Sequence, residues 1–425
     1  MNGEQEAILR KPKNVLFVTL VGRGFNLNYG AVLQAYALQK FLRINGYRAK
    51  ILNYKRADNS IVKKDLNYYY KKLIKILNEE GVKFLLVKLA KKPINFLRVK
   101  IEKKLKKEYE EERRKNFLTF KDCFLIFSER RYNSYNEISE GASKVIQEFD
   151  IFLVGSDQVW NPYFNNRNAL KVYLLDFVQN SPRISYASSV SAKIPHDLID
   201  FYRERLSKFD CISVREEESA KEIEKVLGYK PKVNVDPALL LNAEQWEEIA
   251  HQPEQKVKKP YIFVYDLYRS PEILPAVQKL ARKECMKYIN HTPILFGQKL
   301  RYPHLELSFY TKGPAEFLWY LKEADFVVTS SFHGVVFSIL FRKPFYAILW
   351  SEKYKDRMKQ NGRITNLLGQ IGLIERCFDD PHDILKRGLD KNIDWEKVHE
   401  KVSQLREDSI KWLLEALEGG LEDVE

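Results

Sequence analysis

The sequence predicts an α/β protein of two Rossmann-like domains facing across a cleft, with a basic helical insertion in the first. Three observations predict it. Short apolar runs alternate with amphipathic stretches through most of the 425 residues. A polar segment at Asn242–Lys259, carrying Pro253, interrupts the alternation near the middle. The same alternation then resumes. With 45% hydrophobic and 13% aromatic residues, the chain can bury a sizeable core, which excludes disorder as its overall state.

The elements follow in order. Asn14–Val21 is a continuous apolar strand. Gly30–Asn45 is a helix with Ala31, Ala35, Leu38 and Leu42 on one face, ended by Gly46, and Ala49–Leu52 is a second strand. This βαβ unit opens a parallel sheet. A helix is expected around Glu137–Gln147. Strands follow at Phe149–Val154, Ile184–Ala187, Cys211–Val214 and Lys232–Val235, with helices at Leu198–Ser207 and Glu217–Leu227. These make a first domain, 1–242. The second, 260–390, holds strands at Tyr261–Tyr265, Ile294–Phe296, Asp325–Thr329 and Phe345–Leu349. Its helices are Pro271–Lys287, Pro314–Lys322 and Gly334–Leu340. The stretch Ile364–Ile371 follows, and a long helix from about Glu396 to Leu417 fills the tail, 391–425.

Charge is uneven. The chain has 71 Lys+Arg against 57 Asp+Glu, a net +14, and 61–115 alone contributes +10, from 18 basic and 8 acidic residues. Apolar residues recur there at helical spacing: Leu73, Ile76 and Leu77, then Phe84, Leu85 and Leu89, then Ile94, Leu97 and Ile101. Pro93 is expected to split the run into at least two helices, with Glu102–Lys115 a solvated charged helix. The segment reads as an insertion with basic outer faces, or as a patch that rests on anionic lipid headgroups. Nucleic acid is not expected as a partner, because no RNA-binding aromatic pattern or helix-turn-helix accompanies the charge.

Cys123, Cys211, Cys285 and Cys377 form no short ligand pair, so no metal site is expected, and they read as buried thiols in a reducing compartment. The apolar run Val15–Val21 is far too short to span a membrane and leads into a glycine-bearing loop rather than a cleavage site, so a cytoplasmic protein is expected. Six of the seven histidines, His251 and His382 among them, read as surface residues.

Four constellations sit at strand ends, where ligands of such sheets bind. The first, Gly22–Ala31, occupies the place of a phosphate loop without its GxGxxG spacing, and no acidic residue ends the second strand. That disfavours a nicotinamide cofactor, and no cofactor is expected. Asn28, Tyr29 and Gly30 are candidate ligand contacts; the plainer reading is a connecting loop with Asn28 as helix cap. The second is Gly155-Ser156-Asp157-Gln158-Val159-Trp160-Asn161. A carboxylate beside an aromatic suits a sugar; alternatively Asp157 caps a turn and Trp160 is core. The third is Arg215, placed to clamp an anion or to pair with Glu218 at the surface. The fourth is Thr329-Ser330-Ser331-Phe332-His333-Gly334. Hydroxyls and free N–H groups at a helix start suit an anion, and His333 can donate a proton or simply cap.

Together these segments resemble the polysaccharide pyruvyl transferase family. The matching pieces are Asn28–Leu38 (Asn-Tyr-Gly-Ala-Val-Leu-Gln-Ala-Tyr-Ala-Leu), Gly155–Asn161, Ile212–Glu216, Val235-Asp236-Pro237, Ser330–Gly334 and Arg363–Leu368, in order between about 14 and 374. The resemblance implies a GT-B-like fold and transfer of pyruvate from phosphoenolpyruvate to a sugar, usually as a cyclic ketal on two hydroxyls. The acceptor would belong to a cell-surface polysaccharide or its lipid-linked precursor. It implies that Arg215 and His333 contact phosphoenolpyruvate. Many members carry an arginine two residues before that histidine, where this chain has Ser331. Donor binding then leans on Arg215, or on Arg363 or Lys343. On this view His333 is the acid and Asp157 the base. Ser330, Ser331, Gly334 and Arg363 join the donor site, and Asn28, Tyr29, Gly30, Asp157, Gln158 and Trp160 serve the acceptor. A GT-B glycosyltransferase using a nucleotide sugar is the alternative, since it would share the fold.

Overall fold

The computed structural model describes residues 12–24, 26–55, 92–267, 272–292, 302–350 and 361–420. Its first sheet comprises β1 (Asn14–Val18), β2 (Arg48–Ile51), β3 (Ile151–Val154), β4 (Arg183–Ser188), β5 (Cys211–Val214) and β6 (Lys232–Val233). Its second comprises β7 (Tyr261–Tyr265), β8 (Lys287–Asn290), β9 (Leu305–Ser308), β10 (Phe326–Thr329), β11 (Phe345–Ile348) and β12 (Cys377–Phe378). The orders are β2-β1-β3-β4-β5-β6 and β12-β11-β10-β7-β8-β9, parallel at every paired strand. Strand order reverses between β1 and β3, and again between β7 and β10. Those two switch points are where the loops part and a ligand can enter. Parallel strands are covered on both faces, and β1, β3, β4, β7, β10 and β11 are buried almost end to end.

The helices are α1 (Tyr29–Ile44), α2 (Lys92–Phe124), α3 (Tyr135–Glu140), α4 (Ala142–Glu148), α5 (Arg167–Tyr173), α6 (Ile199–Leu206), α7 (Glu217–Leu227), α8 (Ala243–Glu247), α9 (Ile273–Lys283), α10 (Pro314–Glu323), α11 (Phe332–Leu340), α12 (Asn361–Ile371), α13 (Ile384–Arg387) and α14 (Trp395–Glu418). The expected Glu137–Gln147 helix is two helices, broken at Gly141. The helix expected over Pro271–Lys287 stops at Lys283, and its tail is strand β8. Strand β9 was not foreseen, because its alternation of buried and half-buried positions is only four residues long. The strand expected at Ile294–Phe296 lies outside the described residues.

Helix α1 is buried on nearly every side, from Tyr29 to Leu42, because α10 and α11 of the second half close over it. One apolar cluster therefore runs through both halves, from Val15 and Ala35 through Trp246 to Phe263 and Val336. Helix α14 ties the halves again. Ser409 Oγ accepts from the Val235 amide at 3.0 Å, and Lys13 Nζ donates to the Leu417 carbonyl at 3.1 Å.

Of the basic segment, 61–91 lies outside the described residues, while 92–115 belongs to α2. Pro93 does not split α2. It stands in the first turn, where a missing N–H breaks no helical bond. Nor is Glu102–Lys115 wholly solvated. Lys104 and Lys107 are exposed, but Arg113 is buried among the rings of Tyr29, Phe117 and Tyr310. It donates to the Leu27 and Tyr310 carbonyls. One turn of chain in each half is thereby held by one guanidinium. Further along, Lys121 is buried and donates to the Gly22 and Asn26 carbonyls at 3.1 and 3.0 Å, fixing the loop after β1. The cysteines are not buried either: Cys123 and Cys285 are exposed and the other two half-buried, all as free thiols. Among the described residues no helix is long and apolar enough to cross a membrane.

Candidate active site

The two switch points meet at one place. Strand β1 leads through a loop into α1, whose cap Asn28 accepts from the Ala31 amide at 3.1 Å. Gly30 follows in the first turn. A Cβ there would lie 2.1 Å from Nδ1 of His333, so only glycine lets the imidazole of α11 rest on this backbone. His333 is the second residue of α11, after the cap Ser331, and is 6% exposed.

Opposite it stands Asp236, just beyond β6 and 1% exposed. Its Oδ1 is 3.5 Å from His333 Nε2 and accepts from the Ala238 amide at 3.0 Å. Its Oδ2 accepts from Arg215 Nη1 at 2.8 Å and from Ser156 Oγ at 3.0 Å. Burial alone would push this carboxyl up. His333, Arg215 and the Ala238 N–H outweigh it and hold the group well below the usual carboxylate range. Asp236 is therefore a fixed anion that faces the imidazole.

Arg215, at the carboxyl end of β5, is ringed by carboxylates: Asp236, Glu216 at 3.3 Å and Asp157 at 4.0 Å. Burial would lower its pKa, but these anions raise it above the ordinary arginine value. It lies over the Phe332 ring at 4.9 Å. The sequence suggested a free bidentate fork or a surface pair with Glu218. Neither is found, because Nε and Nη1 face Glu216 and Asp236, and Nη2 alone has no hydrogen-bond partner. Asp157 has φ +78°, an uncommon backbone for a side chain other than glycine and one that marks functional turns. Its Oδ1 accepts from the Gln158 amide at 2.9 Å, and the side chain stays partly exposed.

The structure thus brings Gly30, Asp157, Arg215 and His333 together, joined by Asp236. Other expected contacts go elsewhere. Trp160 is wholly buried, its indole N–H donating to the Tyr173 carbonyl at 2.9 Å; it is core, not an acceptor wall. Gln158 Oε1 accepts from Asn161 within its own turn. The Tyr29 hydroxyl meets the Phe309 and Lys312 carbonyls and so fastens the two halves; burial pushes it up to about 12. Ser330 Oγ donates to Asp266, and Ser331 Oγ accepts from the Gly334 amide as the cap of α11. Gly334 is there because a Cβ would strike Thr329 Oγ1 at 2.3 Å. Lys343 lies beyond the far end of α11 from His333. Arg363, on α12, lines a cavity of about 220 Å³ whose walls include Arg215, Lys232, Asp236, Phe332 and Gln370.

Asp236, Asp266 and His291 were not singled out as site residues by sequence. Asp236 had a signal, its Val-Asp-Pro setting at a strand end. His291 directly follows β8 and is buried against Tyr29, Tyr265 and Phe309, not on the surface. Among the described residues no group of three His, Cys, Asp or Glu side chains could hold a metal ion.

Two doubly wound parallel sheets meeting at their switch points, with a terminal helix returning to the first, define the GT-B class. Residues 28–352, about three quarters of the chain, match the polysaccharide pyruvyl transferase family, and the chain belongs to it. No curated protein sequence matches it. Among solved structures it is similar to a glycosyltransferase from Rickettsia africae, at 11% identity and TM-score 0.46, over 96% of this chain and 99% of that one. It is also similar to the UDP-GlcNAc 2-epimerase of Neisseria meningitidis, at 12% identity and TM-score 0.44, over 95% of this chain and 100% of that one.

Proposed function

We propose that this protein transfers the pyruvyl group of phosphoenolpyruvate to a hydroxyl pair of a sugar, forming a cyclic ketal on a cell-surface polysaccharide or its lipid-linked precursor. One observation carries the reading: Arg215 and Asp236 of the first half meet His333 of the second in a buried cluster beside a small cavity. The cavity is lined by the cations Arg215, Lys232 and Arg363, which suits a small anion such as phosphoenolpyruvate.

In this reaction the methylene carbon gains one proton and the enol carbon gains two bonds to sugar oxygens. The bond to phosphate breaks, and the second hydroxyl proton leaves with phosphate. His333, beside the Asp236 carboxylate, supplies the proton to carbon. Arg215 Nη2 meets the developing charge on the leaving group, and Asp157, the partly exposed carboxylate of the cluster, takes a hydroxyl proton. Asp236 is not the base, because its charge is fixed by three partners. The basic segment 61–115 would bring the enzyme to an anionic membrane that carries the acceptor.

The test is acceptor-dependent release of phosphate from phosphoenolpyruvate, with mass spectrometry of the glycan for a pyruvyl adduct. His333→Ala should lose at least about 10²-fold in turnover and stay folded. Sugar transfer from a nucleotide sugar, with no pyruvyl adduct, would establish the glycosyltransferase alternative. Sedimentation with anionic but not neutral liposomes, reversed by salt, tests the membrane contact.

A further inference from the structure

Asn234 is 2% exposed, and neither its side-chain nitrogen Nδ2 nor its side-chain oxygen Oδ1 has a hydrogen-bond partner. A buried amide of this kind carries the full desolvation penalty with no bond to offset it. An apolar side chain of the same size would serve packing better, so the packing does not explain the residue.

Its position suggests what does. Val214 of β5 lies opposite Val233 of β6, and the Asn234 amide donates to the Val214 carbonyl at 2.8 Å. Arg215 and Asn234 therefore leave the carboxyl ends of neighbouring parallel strands side by side. Asp236 follows two residues on. Arg215 and Asn234 both line the 220 Å³ cavity, and Arg215 Nη2, 4.0 Å from Asp157, is itself buried without a hydrogen-bond partner. Two adjacent side chains thus hold unmet hydrogen-bonding groups at one wall.

The chemistry of the amide divides its two ends. The N–H₂ end donates to an oxyanion. The carbonyl end repels one and accepts only from an O–H or N–H group. We propose that Asn234 is a ligand-contacting residue that donates to the small oxyanion held by Arg215 Nη2 and accepts from an acceptor hydroxyl, placing the two substrates side by side. The inference rests on the pyruvyl-transfer reading for the identity of the anion, but not for the existence of the contact.

The experiment uses the full chain and two variants, Asn234→Leu and Asn234→Asp. It measures calorimetric affinity for phosphoenolpyruvate and for UDP-GlcNAc, with the unliganded Tm of each protein. Asn234→Leu should weaken phosphoenolpyruvate binding about 10–100-fold while leaving the unliganded Tm equal to or above that of the wild type. Asn234→Asp should bind more weakly still, because it sets a second carboxylate beside Asp236. Unchanged affinity in Asn234→Leu, or a fall in its unliganded Tm, overturns the inference and makes Asn234 structural. If the wild type binds only UDP-GlcNAc, the pyruvyl reading fails, and the inference stands only if Asn234→Leu weakens that ligand. Binding of neither probe by the wild type overturns both.

Discussion

Replacing Gly30 with alanine tests the meeting of the two halves with one methyl group. The new Cβ would lie 2.1 Å from His333 Nδ1 and 2.4 Å from Cγ, whereas ordinary contact begins at 3.4 Å. The ring must retreat by about 1.3 Å or the helices must part. The Nε2–Asp236 approach, already 3.5 Å, has little room to survive that. A misplacement of about 1 Å in a reacting group costs roughly 10²-fold in rate, so Gly30→Ala should lose about that much turnover. Overpacking costs about 1–3 kcal/mol, while alanine in a helix returns about 0.5–1 kcal/mol relative to glycine. For a chain of this size 1 kcal/mol moves Tm by about 1 °C. Gly30→Ala should therefore lower Tm slightly in the wild type, yet raise it by up to about 1 °C in a His333→Ala background. Activity within threefold of wild type would refute the argument. So would an equal fall in Tm in both backgrounds, since the clash would then not be with His333.

Three further expectations can be checked by equilibrium unfolding. Asp236→Asn should destabilise by about 3–5 kcal/mol, because it leaves Arg215 and His333 buried around a neutral group; a loss below 1 kcal/mol would show that the cluster is solvated. Trp160→Ala should cost about 3–5 kcal/mol, whereas Trp160→Phe should fold and keep the acceptor KM; a raised KM would return the indole to the acceptor side. Burial brings the Lys121 ammonium down to about 7. Between there and the unfolded value of about 10.4, the unfolded chain holds more protons. Stability should rise with pH across that window by up to about 1.4 kcal/mol per pH unit. Lys121→Met should flatten the rise; an identical slope in the variant would show that the two carbonyls keep the amine protonated.

Strand ends and the order of βα units were legible because period and glycine placement are local signals. The expectation that Arg215 and His333 belong to one site came from the family resemblance, with strand ends that allowed it, and the fold does bring them together around Asp236. What was not legible depends on contacts from the other half. Gly30 reads as a permissive turn, but its reason is an imidazole in α11. Asp236 was visible as a motif, yet its role needs two partners from separate halves. Trp160 misled because an indole after a strand looks the same whether it faces a ligand or its own backbone. Lys121 and Arg113 sit in a run of charge, and no count of charges tells which two of them turn inward.

Helix α2 sets a distance. From Lys92 to Arg113 is 21 residues, about 32 Å along the axis at 1.5 Å each. Arg113 is pinned to the Leu27 and Tyr310 carbonyls, so the near end of this rod cannot slide relative to either wall of the site. A surface that gripped the first turn of the rod would therefore be held at a fixed distance from the two carbonyls that Arg113 binds, one in each half.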